Sequence, residues 1–107
     1  MKPVRFQPEA EAEMIEAARW YEAQQAGLGS RTLTTVQDAV NRVGLDPLLY
    51  PAIDGDARRC LTRTFPFGLV FRVQADGIAV IAVMHLLREP GYWQDRRTED
   101  LDPGGGP

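Results

Sequence analysis

The chain predicts an α+β fold in which an antiparallel helical hairpin packs on an antiparallel β-sheet. Apolar residues recur at steps of three and four in the first half and at steps of two from about residue 58 onward. Helix-type and strand-type patterns are therefore segregated rather than interleaved, as in α+β folds. Val4-Arg5-Phe6 opens the chain as a short β-type segment. Pro8 suits a first helical turn, and Glu9, Glu11 and Glu13 fall near the positive end of the helix dipole, so a helix starts there. Met14, Ile15, Ala18 and Tyr21 give it one buried face, and Ala26-Gly27-Leu28-Gly29 closes it near residue 26. Leu33, Val36, Val40 and Val43 mark a second helix that Asp46-Pro47 stops. So short a connection folds the two helices into a hairpin.

Residues 48–57 hold Pro51 and "IDGD" with little periodicity, which predicts a loop. Three strands follow. "RRCLTRTF" alternates, with Arg59, Leu61 and Arg63 on one face, and "FGLVFRV" sets Phe67, Leu69, Phe71 and Val73 against Gly68, Val70 and Arg72. After the tight reversal at Ala75-Asp76-Gly77, "IAVIAVMHL" is apolar on both faces, as a central strand covered on each side must be. Adjacent Trp20 and Tyr21 lie about 100° apart on a helix, so one packs and the other lies on a flank. One domain is expected over residues 1–97, with a disordered, acidic, glycine-rich tail at 98–107.

The 107 residues, 44% of them hydrophobic, suffice for one two-layer core. Cys60 is the single cysteine, which excludes an internal disulfide and a thiolate metal site and favours a reducing cytoplasm. The N-terminus has no signal-peptide core, and "IAVIAVM" is too short to span a bilayer, so no membrane association is expected. A net charge of −3 conceals an uneven distribution: residues 52–97 carry seven basic and five acidic groups, every basic one an arginine. Arginine favours forked contacts with carboxylate or phosphate.

Chemistry-bearing side chains gather where the last strand ends, in "HLLREPGYWQDR". His85, the only histidine, titrates near neutrality when unperturbed; Arg88 and Arg96 supply fixed positive charge; Tyr92 can donate or accept a hydrogen bond. Arg59, Arg63 and Arg72 on neighbouring strands are positioned to join them, and Tyr92 and Trp93 also suit folding back over the core. No metal motif, phosphate loop or Ser-His-Asp spacing appears, so no cofactor is expected.

Four phrases in this order, "RFQPEAEAEMIEAARWYEAQQAGLG", "DPLLYP", "RRCLTRTFPFGLVFRV" and "IAVIAVMHLLREPGYW", resemble the RelE/ParE superfamily of toxins from bacterial type II toxin–antitoxin systems. The similarity runs over about residues 4–97. Its most specific pieces are the helix phrase with Trp20-Tyr21 and Gly27-Leu28-Gly29, the run Arg63-Thr64-Phe65-Pro66-Phe67, and the pattern from His85 to Trp93. The resemblance implies a helical hairpin on an antiparallel sheet, growth inhibition, and a cognate antitoxin that neutralises the protein.

Within that superfamily, RelE-like members are ribosome-dependent mRNA endonucleases that need no metal, and ParE-like members inhibit DNA gyrase. A metal-free ribonuclease needs a dense basic cluster with a proton donor. This chain has no lysine beyond Lys2, and Phe67 and Phe71 stand where relatives often carry tyrosine. The ParE-like reading is therefore favoured, with Arg59, Arg72, Arg88, Trp93 and Arg96 as target-binding residues. Two alternatives stand beside it: a nuclease acting on ribosome-bound mRNA with His85 as acid or base, Arg63 and Arg88 on the phosphate and Tyr92 assisting, and an interaction module that has lost toxicity.

Overall fold

The computed structural model describes residues 1–89 and 91–96. Two helices lie on one face of a five-stranded sheet. The elements run β1 (Val4–Phe6), α1 (Pro8–Gln24), α2 (Leu28–Leu45), a 3-10 turn (Pro47–Leu49), β2 (Ala52–Asp54), β3 (Ala57–Leu61), β4 (Phe67–Gln74) and β5 (Gly77–His85). The sheet order is β1-β5-β4-β3-β2.

The predicted α+β arrangement holds, with four local differences. First, β1 pairs parallel with β5, Val4 opposite Ile78 and Phe6 opposite Val80, so the sheet is mixed. Both strands run toward the end of the sheet from which α1 departs. Second, the expected loop at 48–57 contains the 3-10 turn and the edge strand β2, which pairs with β3 across the turn at Gly55 and Asp56. A three-residue edge strand with every residue in contact with solvent leaves no alternation to read.

Third, the strand expected to continue to Phe65 stops at Leu61. The Thr62 hydroxyl donates to the Phe65 carbonyl at 2.7 Å, Phe65 takes a left-handed φ of 66°, and residues 62–66 become a hairpin loop. Arg63 thereby leaves the face that carries Arg59. Fourth, the buried stripes differ at their margins: Ala18, Val36, Val40 and Val43 are buried as expected, but Ile15 and Leu33 are 39% and 43% exposed, while Ala10, Thr32 and Ala39 are buried. Small residues let the hairpin close tightly, so Ala, Thr and Gly share the inward positions with the valines.

The core between helices and sheet joins Val36, Val40 and Val43 to Cys60, Leu69, Phe71, Ile78 and Val80. Burial pushes the Cys60 thiol above its usual range, which makes it a packing group rather than a nucleophile. β5 is buried on both faces, as its composition predicts: Ile81, Ala82 and Met84 form a second cluster with Val70, Ala57 and Trp93. A register shift opposite Val70/Phe71 makes this possible. One extra residue in β5 sends both Ile81 and Ala82 to the far face and returns Val83 to the helices. Tyr21 packs against Phe65 and Phe67 while Trp20 stays 59% exposed, the division expected of that pair. The tail expected at 98–107 lies outside the described residues.

Candidate functional site

β1 stops opposite Val80, so among the described residues the edge of β5 beyond it has no strand beside it. Backbone polar groups left there need other partners. Two side chains supply them. The Val83 N–H donates to Glu13 Oε1 at 3.0 Å, and Arg96 Nη1 donates to the Ile81 carbonyl at 2.9 Å. Arg96 also grips Glu13 with both terminal nitrogens, at 2.9 and 3.0 Å. Each member of this pair is 17% exposed, and its hydrogen bond with Glu13 raises the Arg96 guanidinium above its usual range.

Around this clamp the strand-end residues take different places. Arg88, 54% exposed, lies over the Tyr92 ring at 3.9 Å and comes no nearer to Glu13 than 3.9 Å. Arg96 flanks the same ring at 5.0 Å. Burial, reinforced by the Glu13 carboxylate, pushes the Tyr92 phenol well above its usual range. Its hydroxyl lies near Glu13 but makes no hydrogen bond of good geometry among the described residues. Trp93 is 3% exposed and packs in the second cluster, the folding-back expected of it.

His85 turns to the helix side of the sheet, edge-on to Phe67 at 5.3 Å. Its Nδ1 accepts the Leu87 N–H at 3.1 Å, which puts the neutral ring's proton on Nε2. With Glu13, Glu16, Trp20, Tyr21 and Arg88 it lines a recess of about 370 Å³ between α1 and the end of β5. A second recess, of about 320 Å³, opens on the opposite face between Arg59, Met84, Leu86, Arg88 and Trp93. Arg88 stands between the two.

The predicted site residues are therefore only partly brought together. His85 and Arg88 share the first recess, and Arg59, Arg88 and Trp93 share the second. Arg63 belongs to neither. It is 70% exposed beside Asp38, 3.7 Å away, in a shallow depression on α2. Arg72 donates to Asp56 at 3.1 Å and to the Arg96 carbonyl at 3.1 Å, which ties β4 to the C-terminal segment. Among the described residues, no three His, Cys, Asp or Glu are grouped to hold a metal, and no helix is long and apolar enough to cross a membrane.

Over residues 4–90 the sequence matches the family described as the ParE toxin of type II toxin–antitoxin system, parDE. The chain belongs to the ParE toxin family. Among solved structures, a chain described as the chromosomal ParDE TA system from P. aeruginosa is similar, with a TM-score of 0.60 and 21% sequence identity. The likeness covers 80% of this chain and 97% of that one, and shows a shared fold. No curated protein matches this chain significantly.

In this ParE-family toxin the clamp partner Arg96 lies beyond the family-matched stretch, whereas Glu13 lies inside it. Glu13 is the residue that sequence reasoning missed as part of the site. Its signal was position: it falls three residues after buried Ala10 and four before Ala17, on the helix face turned to the core. An acidic residue there needs a partner.

Proposed function

We propose that this protein is a growth-inhibiting toxin that acts in the bacterial cytoplasm by binding DNA gyrase, and that a cognate antitoxin with an acidic C-terminal half neutralises it. Family membership supports the toxin–antitoxin assignment. The choice of a binding mode over RNA cleavage rests on one observation, the dispersal of the acid–base set. A metal-free nuclease needs its base, acid and phosphate-holding cations around one scissile bond. Here His85 faces a recess that also contains Glu13 and Glu16, which repel a phosphodiester, and Arg63 is in a separate depression. Tyr92, its pKa raised by burial and by Glu13 against the pull of two guanidinium groups, is poorly suited to give up a proton.

The test is induced expression without antitoxin in a bacterial host, with DNA synthesis and translation followed by pulse labelling in one culture. Early loss of DNA synthesis with filamentous cells is expected. Early loss of translation with cleaved mRNA overturns the reading in favour of a nuclease. Unchanged growth with soluble, folded protein overturns it in favour of a non-toxic interaction module.

A further inference from the structure

The arginines near the far face of the sheet divide by what they touch. Arg72 is engaged by Asp56 and the Arg96 carbonyl, and Arg96 by Glu13 and the Ile81 carbonyl. Both hold the C-terminal segment in place. The Arg59 guanidinium has no ion pair or hydrogen bond among the described residues, and that of Arg88 has only the Tyr92 face and a distant Glu13 oxygen. These two less-engaged guanidinium-bearing side chains line the same recess.

The recess is built for a particular kind of guest. The Arg59 stem lies across Gly68, where a Cβ would come 3.0 Å from the Arg59 Cδ, so a larger residue there would push that side chain away by a few tenths of an ångström. Asp54, the carboxylate on the rim, accepts from Gln94 Nε2 at 2.7 Å and keeps its charge, so with two arginines the recess is left with one net positive charge. Trp93 contributes to the wall, and its buried indole N–H is a donor with no acceptor among the described residues. Ile53, Met84 and Leu86 supply apolar lining beside the cations.

We propose that this recess takes the carboxylate of an acidic side chain, with an aliphatic neighbour seated on Met84 and Leu86, from the protein that the toxin binds to stop growth. The proposal rests on the reading above of a toxin that acts by binding a protein. Two arginines in an apolar setting fit a Glu-Leu type of segment, since arginine forks onto carboxylate and the apolar wall matches an aliphatic side chain. A nucleic-acid backbone fits less well. It needs a track of several cations, and this recess holds two arginines beside the Asp54 carboxylate.

The experiment titrates the isotope-labelled full chain with acetyl-Leu-Glu-Leu-amide, acetyl-Leu-Gln-Leu-amide and inorganic phosphate, following the two tryptophan indole N–H resonances by NMR. Trp93 reports on this recess and Trp20, in the other one, is the internal control. A saturable shift of Trp93 alone is expected with the Glu peptide, weakened by salt and by Arg59→Gln, with no response to the Gln peptide. Equal responses to both peptides, no response, or a phosphate response matching that of the Glu peptide each overturn the proposal. Comparing two peptides on the unaltered protein keeps the result independent of how well the variant folds. Because purified protein is used, the outcome is also independent of whether gyrase is the target.

Discussion

Glu13 and Arg96, separated by 83 positions, form a two-pronged ion pair that stands where β1 runs out and satisfies the edge of β5. Removing one partner leaves the other charge largely buried and frees a backbone group. Glu13→Ala is expected to cost about 2–4 kcal/mol of stability. Urea unfolding measures that loss, and a red-shifted Trp93 emission would show the C-terminal segment lifting from the sheet. A cycle with Arg96→Ala should give a coupling of more than about 1 kcal/mol. Additive single effects would mean that the two residues act separately.

Arg88 presents the opposite case, a cation with little internal work. Its contact with the Tyr92 ring is worth about 0.5–1 kcal/mol at an exposed position. Arg88→Ala is therefore expected to fold nearly as well as the wild type and to lose growth inhibition. Thermal melting and colony formation after induction check both halves. An unfolded Arg88→Ala protein would make the residue structural, and full toxicity would remove it from the target surface.

The contrast between Glu13 and Arg88 also marks what the sequence makes legible. Strand and helix periodicities reveal the hairpin, the meander and the double-sided burial of β5, because burial imposes its period on composition. The strand-end cluster is visible for the same reason: an apolar run that ends in His85, Arg88 and Tyr92 announces a surface. Which arginine pairs with what is not visible, since it depends on where β1 stops and on one extra residue in β5. The loop that carries Arg63 away from Arg59 turns on a left-handed Phe65, a conformation for which that residue gives no signal.

The hairpin packing gives a third expectation. A Cβ on Gly29 would lie 2.8 Å from the Ala18 carbonyl oxygen, a backbone atom that moves only if the helices separate. Alanine gains up to about 1 kcal/mol of helix propensity over glycine, and overpacking against a rigid neighbour costs about 1–3 kcal/mol. The clash is expected to win. Gly29→Ala should lower the denaturation midpoint, and a raised midpoint would show that the helices can separate at little cost.

The start of α2 makes a pH-dependent prediction. Glu22 accepts the Gly27 N–H at 3.1 Å on each carboxylate oxygen and the Gly29 N–H at 2.9 Å, so the last turn of α1 caps the first turn of α2. Those backbone donors hold the Glu22 carboxyl below its ordinary value of 4.5. The sign follows from the direction: a carboxyl with a depressed folded-state pKa contributes stability that is fully present above 4.5 and is lost as pH falls through the folded value. Glu22→Ala should melt at a lower temperature than the wild type at pH 7, and the gap should close in acid. Because Glu22 is exposed, salt should narrow the gap too. Melting curves of both proteins from pH 7 downward test this; a gap that stays constant would mean that the Glu22 side chain acts through packing and not through its charge.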